Sequence, residues 1–575
     1  MKHFFQFFKI LDNSVKYKFL IFIFFIILNS LLEIISISAL LPVIELVSQN
    51  KISDINKFNN FFFEKINLGN NPIVALSLIA LAVIILKNLI FILINFWQIS
   101  FINKVQFSIS KKLISNYLSK DYSFFIKKNS SELIRNFTSE TNNIVKGLGN
   151  FFSIVVEILL LIVLVIYLIL INPKITIIIF FILSLIVLIL NYLAYSKIKR
   201  WSYIRVGLTA GYLKVLIQTF NSIKEIFVFK KEEEIKEVHN KKKKETIDID
   251  KKFSYMNALP KPFAETLVFS MLIFLIIKFN QSENFFSYFT LYALVSLRLY
   301  PSVNKILVNL QAFSYKLVSF DIIRKEFSEI SNTRNKNLIH LEKSFFKSKI
   351  NIENLSFKYG KKIIIDNLKV ELKIGKFYGI FGPSGSGKST FLDLIMGLKS
   401  PSSGKIKFDN NEIDNRRYNW LSVIGYVPQN PYLYDETILA NICFGIKKSE
   451  INLEKVENAL KNSNLENFIK TLPEGLNTLI GEKGVKISGG QMQRISLARA
   501  LYHDPKVLIL DEVTNQLDEE TENQIIKDLL ILKKDKLILF VTHKNNLLSN
   551  FDDTIKLNNE NVSLKNTSET NKSKI

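Results

Sequence analysis

The sequence predicts an α-helical six-span transmembrane domain followed by an α/β P-loop nucleotide-binding domain with a helical subdomain. Three observations carry this expectation. Apolar runs long enough to cross a bilayer recur through the first 320 of 575 residues. The loops between them alternate between Lys/Arg-rich and nearly neutral. Past residue 349, a short apolar strand runs directly into GPSGSGKST, residues 382–390.

Four clear spans cover 20–41, 73–96, 151–171 and 175–195, and two weaker ones cover 263–279 and 285–308. Asn172-Pro173-Lys174 forms a hairpin that cannot continue a helix. The segment before the first span carries Lys2, Lys9, Lys16 and Lys18, the loop 101–150 is basic, and the loop 196–257 holds Lys241-Lys242-Lys243-Lys244. Both termini are therefore expected in the cytoplasm. This topology absorbs much of the net charge of +24, so no nucleic-acid partner is needed to explain it. The single cysteine, Cys443, excludes an intrachain disulfide. The two long basic loops read as helical extensions of the spans, with 121–125 and 209–213 near their middles as contact points for a cytoplasmic domain. Residues 54–66, DINKFNNFFFEKI, space their apolar side chains as an interfacial amphipathic helix or as a loop packed on the spans. Residues 321–348 read as a linker, 349–557 as the nucleotide-binding domain and 558–575 as a disordered tail.

In the second domain, strands are expected at 350–357 and 377–381, with a helix over 391–398. Between them lie Gly382, Pro383, Ser384, Gly385, Ser386, Gly387, Lys388, Ser389 and Thr390. Glycines in such a loop let backbone N–H groups converge on phosphates, and the helix N-terminus adds positive potential. Lys388 is placed for the β- and γ-phosphates of ATP, and the Ser389 hydroxyl for Mg²⁺. A buried strand at 507–510 ends in Asp511-Glu512. Asp511 would hold Mg²⁺ directly or through water, and Glu512 would orient and deprotonate the attacking water. His543, two residues past the strand 537–541, would reach the γ-phosphate. Gln429 would offer an amide oxygen to Mg²⁺ or to the water.

Ser488 precedes Gly489, Gly490 and Gln491 at the start of a second helix. It is a natural N-cap, and the N–H groups beyond it form an anion site. Two anion sites in one domain are redundant unless they face different nucleotides. That argues for a head-to-tail homodimer, in which 488–491 of one copy closes over the ATP held by the other.

The ordered set GPSGSGKST, Gln429, ISGGQ, VLILDE and His543 resembles the ATP-binding-cassette family, and the six spans before it resemble the family's exporter-type half-transporters. The resemblance implies ATP hydrolysis coupled to transport, with Tyr359 stacking on adenine. It also implies that 478–484 touches the loops of the membrane domain and that Ser488–Gln491 meets the partner's ATP. Departures are Ile487 in place of the usual Leu, and Thr514-Asn515-Gln516-Leu517-Asp518 in place of Thr-Ser-Ala-Leu-Asp.

Cargo must be read from the spans, where charge is costly and faces a cavity or a partner. Lys87, Lys261 and Arg298 form a basic track for an anionic head group, or they pair with Glu33, Glu157 and Glu265 or snorkel to the interface. The basic residues in spans two, five and six, the stretch LRLYPSVNKI (297–306) and the apolar segment after span one resemble bacterial flippases of lipid-linked oligosaccharides. That resemblance implies a multi-pass protein of the bacterial cytoplasmic (inner) membrane. Its cargo would be an amphiphilic anionic substrate, a polyprenyl-pyrophosphate glycan, moved from the inner to the outer leaflet among membrane lipids. The alternative within the family is a multidrug or lipid exporter.

Overall fold

The computed structural model describes residues 21, 24–29, 31–32, 35, 72–171, 173–279, 285–328, 346–409, 411–413, 420–481, 487–515, 517–557 and 562–566. Most of the first expected span, the segment 54–66, the N-terminal lysines, Glu33, Asn172, 482–484 and Gln516 lie outside the described residues. The chain divides into two compact units, one comprising Met1–Lys120 with Phe124–Asn335, the other Asp121–Ser123 with Lys336–Ile575.

The first unit is helical: α1 (Pro72–Leu118), α2 (Thr141–Ile171), α3 (Pro173–Asn221), α4 (Glu232–Ala258), α5 (Pro260–Phe279) and α6 (Phe285–Ser328). Three of these helices start on proline, whose missing N–H is no loss in a first turn and whose fixed φ suits the helix. At 47 and 49 residues, α1 and α3 are each about 70 Å long, against a hydrocarbon core of about 30 Å. The extra length is the helical extension expected for the basic loops. Among the described residues, Ser77–Leu118, Ser130–Leu170 and Arg298–Ser328 are long and apolar enough to cross a membrane.

Residues 321–328 correct the linker expectation, because α6 runs through them to Ser328. Phe320, Ile323 and Phe327 keep the helical apolar period and are buried. Just before α2, a π-helical turn (Asn136–Glu140) places the fully buried Glu140 against Arg205 at 3.4 Å, Arg135 at 3.7 Å and the Ser319 hydroxyl at 2.5 Å. A buried carboxylate is tolerated only with such compensation.

The second unit holds two sheets. β1 (Lys349–Tyr359), β2 (Lys362–Lys373), β4 (Ser403–Phe408) and β5 (Asn411–Glu412) form one, in the order β2-β1-β4-β5. The other has the order β10-β9-β3-β8-β7-β6, built from β3 (Phe377–Phe381), β6 (Ile424–Val427), β7 (Val507–Asp511), β8 (Leu537–Val541), β9 (Asp553–Leu557) and β10 (Val562–Asn566). β6, β7, β8, β3 and β9 run parallel. Strands buried on both faces read as unbroken apolar runs, as in VLIL of β7 and LILFV of β8.

β10 corrects the expected disorder of the tail: Val562–Asn566 pairs antiparallel with β9. Its alternation of apolar and polar positions covers only the four residues VSLK, and the Asn-, Ser- and Lys-rich surroundings hide it. Helices α7 (Lys388–Ile395), α8 (Leu453–Asn462), α9 (Gly489–Tyr502) and α10 (Glu519–Leu532) complete the unit. α8 packs Val456, Ala459 and Leu460 into the same buried cluster as Leu497, Leu508 and Phe540.

Candidate functional site

In a parallel sheet the carboxyl ends of the strands share one edge, and ligands bind in the crevice there. Here that edge carries the loop after β3, Asp511 as the last residue of β7 with Glu512 just past it, and His543 after β8. The loop must be glycine at two points. Gly387, the N-cap of α7, has φ +94, and a Cβ on it would lie 2.6 Å from Ile364 Cγ2. A Cβ on Gly382 would lie 2.2 Å from the Leu557 carbonyl oxygen. Lys388 is buried and donates to the carbonyl oxygens of Gly382 at 2.9 Å and Pro383 at 3.0 Å. Burial pulls its ammonium below the ordinary lysine range, against the opposing effect of the Glu512 and Asp511 carboxylates. The buried Ser386 hydroxyl has no hydrogen-bond partner among the described residues. Ser389 and Thr390 follow on the first turn of α7, while Ser384 and Gly385 are exposed.

Asp511 is buried, and that burial, with Glu512 beside it, pushes its carboxyl up to about 6. Glu512 sits at φ +53, a strained conformation for a non-glycine residue. Three side chains meet its carboxylate: His543 Nε2 is 2.8 Å from Oε1, while Gln429 Nε2 at 2.6 Å and Asn515 Nδ2 at 2.8 Å both donate to Oε2. His543 and Gln429, expected near phosphate and metal, are thus brought together on Glu512. Asn515 was missed as a site residue, because an asparagine in a turn signals only turn geometry.

Ser488 caps α9 as expected and completes a capping box. Gln491 N–H donates to the Ser488 hydroxyl at 3.2 Å, and Ser488 N–H donates to Gln491 Oε1 at 2.8 Å. Gly489 and Gly490 form the first turn beyond it. Arg499, also on α9, donates to the Asn441 carbonyl at 2.7 Å and the Tyr432 carbonyl at 3.1 Å. This ties α9 to the loop that follows β6, at Tyr432, and to the short helix Ile438–Ile442 beyond it, at Asn441. Tyr359 ends β1, half exposed, edge-on to Phe357, with the Lys399 ammonium 5.1 Å from its ring centre.

The first unit contains a separate polar cavity of about 300 Å³, lined by Asn29, Lys87, Asn88, Asn95, Gln98 and Arg298 together with Glu157 and Lys305. Two of the three expected cargo residues meet there. Lys261 does not line the cavity; Pro260 starts α5 and leaves Lys261 exposed on its first turn. Glu157 takes Lys305 at 2.9 Å and the Ser302 hydroxyl at 2.7 Å. Ser302 directly follows Pro301, a proline inside α6. Asn88, Asn95, Gln98 and Lys305 were missed because, taken singly along α1 and α6, each reads as an isolated polar residue.

A helical unit with bilayer-length apolar segments, followed by a P-loop unit with paired carboxylates at its sheet edge, defines a membrane protein with an ATP-binding motor. The family models bear this out: residues 19–295 match the ABC transporter transmembrane region and 365–515 match the ABC transporter domain, whose members bind ATP. The chain belongs to the ABC transporters, with the half-transporter order of one membrane region before one ATPase domain.

Over 219 residues it is 37% identical to a probable ABC transporter ATP-binding/permease protein of Haemophilus influenzae, covering 38% of this chain and 39% of that one. It is 35% identical over 228 residues to the ATP-dependent lipid A-core flippase of Cupriavidus pinatubonensis, covering 39% and 38%. It is 37% identical over 212 residues to ABC transporter B family member 13 of Arabidopsis thaliana, covering 36% and 17%. The matched stretch therefore spans well under half the length of each of these relatives. The solved structure of a bacterial Atm1-family ABC exporter with ATP bound superposes with a TM-score of 0.80 at 17% identity, covering 98% of this chain and 97% of that one. At that identity the likeness speaks for the exporter fold alone.

Proposed function

We propose that the protein is an ATP-driven translocase of six spans that flips an anionic glycolipid, of the lipid-linked polyprenyl-pyrophosphate oligosaccharide type, from the cytoplasmic to the outer leaflet of a bacterial inner membrane. The observation that carries the cargo is the cavity in the first unit. Lys87, Arg298 and Lys305 face one carboxylate, Glu157, so cations outnumber anions in its lining. Asn29, Asn88, Asn95 and Gln98 add hydrogen-bonding amides suited to hydroxyl-rich sugars. Polar groups in a membrane domain are costly and are kept where they pair with one another or face a wet cavity, and such a cavity suits a polar ligand. A cationic drug would be repelled from this lining, which favours the flippase over the multidrug alternative.

Two copies would pair head to tail, each closing 488–491 over the ATP held by the other's Lys388. The phosphate loop fits the nucleotide. Its buried Ser386 hydroxyl lacks a partner among the described residues, and Lys388 rests on carbonyls that phosphate oxygens can displace. Asp511, Ser389 and Gln429 fit Mg²⁺, since a buried carboxylate held up at about 6 is relieved by a neighbouring cation. Held by these residues, Mg²⁺ would supply positive charge to offset the negative charge of the phosphates. Glu512 would take the proton of the attacking water, Lys388 would hold the γ-phosphate, and Tyr359 would face adenine.

The test is flipping in proteoliposomes across a pyrophosphate-linked glycolipid, a phospholipid and a cationic drug. Glycolipid flipping that falls when Lys87→Ala is combined with Arg298→Ala supports the cargo. Unimpaired flipping by the double variant removes it.

A further inference from the structure

We propose that Asn515 is a positioning residue for ATP hydrolysis, its side-chain amide fixing the Glu512 carboxylate in the orientation from which it takes the water's proton. This rests on the hydrolysis reading above and is independent of the cargo.

An ionised carboxylate only accepts hydrogen bonds, so both amides beside Glu512 must present their nitrogens. Oε2 receives Asn515 Nδ2 at 2.8 Å and Gln429 Nε2 at 2.6 Å, while Oε1 meets His543 Nε2 at 2.8 Å. These three donors differ in where they are anchored. Gln429 lies in the loop after β6 and His543 past the end of β8. Each has a second task at the nucleotide in the reading above. Asn515 lies in the same turn as Glu512, and its backbone N–H donates to the Glu512 carbonyl at 3.2 Å. It therefore holds Glu512 twice, once through the backbone and once through the side chain. When Gln429 and His543 turn toward metal or phosphate, Asn515 is the donor that stays with the base.

The strain at Glu512 makes such a hold necessary. Its φ of +53 is unfavourable for a side chain with a Cβ, and its own N–H is 3.2 Å from the Val541 carbonyl. Asn515 itself is exposed, so core packing does not account for it. In the step it supports, the water oxygen bonds to the γ-phosphorus as the bridging P–O bond breaks. ADP leaves with that electron pair, and the water's proton passes to a Glu512 oxygen.

The titratable groups around Glu512 are Asp511, Lys388 and His543. None of them changes in the variants Asn515→Ala, Asn515→Asp and Asn515→Gln. The experiment measures kcat and KM of steady ATP hydrolysis by full-length protein in nanodiscs, with Glu512→Gln as control. Asn515→Ala is expected to lower kcat about ten-fold with KM for ATP nearly unchanged, the loss of one charge-assisted hydrogen bond. Asn515→Asp places an anion beside the base. It is expected to lower kcat further than Asn515→Ala does, again with KM for ATP nearly unchanged. Asn515→Gln keeps the amide donor and is expected to recover part of the rate.

Wild-type kcat in both the Ala and Asp variants, with Glu512→Gln inactive, would overturn the proposal and leave the hydrolysis reading standing. A fall in melting temperature with kcat intact would reduce Asn515 to a structural role and also overturn it. A wild-type protein without ATPase activity would remove both.

Discussion

Gln493 Nε2, on the second turn of α9, donates to the backbone carbonyl oxygen of Gln429 at 2.5 Å. The side chain of that same Gln429 donates to Glu512. A continuous set of bonds therefore runs from the capped end of α9, through the loop after β6, to the carboxylate at the sheet edge.

Gln493→Ala breaks this set without touching the nucleotide loop. Gln493 is buried, and its loss leaves the Gln429 carbonyl without that donor, at a cost of about 1–3 kcal/mol. Steady-state kinetics should show kcat reduced several-fold while equilibrium binding of an ATP analogue stays near wild type.

Asp511→Asn tests the strain of the buried carboxylate. Asp511 is held up at about 6 against an ordinary 3.8. Between those values the folded chain binds more protons than the unfolded one, so stability falls as pH rises through the window. The shift corresponds to about 3 kcal/mol at neutral pH. In the absence of nucleotide, Asp511→Asn should therefore melt higher than wild type at pH 7.5, and the gap should close as pH falls from about 6 toward 4. Mg²⁺-dependent hydrolysis should be lost at every pH. A melting difference that does not vary with pH would contradict the burial argument.

Gly387→Ala forces a side chain into φ +94 and onto Ile364. Left-handed backbone costs about 1–2 kcal/mol in a residue with a Cβ, and the contact at 2.6 Å adds to it. ATP binding measured by a fluorescent analogue should fall by more than ten-fold, because the loop that gathers the N–H groups can no longer close.

Glu157→Gln removes the charge that holds Lys305 inside the first unit. Lys305 is about half exposed, so part of the loss is recovered by water. A fall in melting temperature in detergent is expected, smaller than for Glu140→Gln. Glu140 is fully buried beside two arginines, and breaking such a pair costs about 3–5 kcal/mol. Differential scanning of the two variants should rank them in that order.

The sequence by itself determined the order of the parts. Apolar length marks membrane helices because a bilayer has a set thickness, and GPSGSGKST between a strand and a helix marks a phosphate loop because only that spacing lets backbone N–H groups converge. Ser488 was legible as a cap because capping is local. What only the tertiary structure decided is which distant side chains share a point. Gln429, Asn515 and His543 meet on one carboxylate because parallel strands bring their carboxyl ends to one edge. Lys87 and Arg298 join one cavity while Lys261 stays outside it, a matter of which face each helix turns inward. The continuation of α6 through 328 and the pairing of β10 with β9 were likewise hidden. Polar composition reads as linker or tail until a packing partner supplies the contacts that order it.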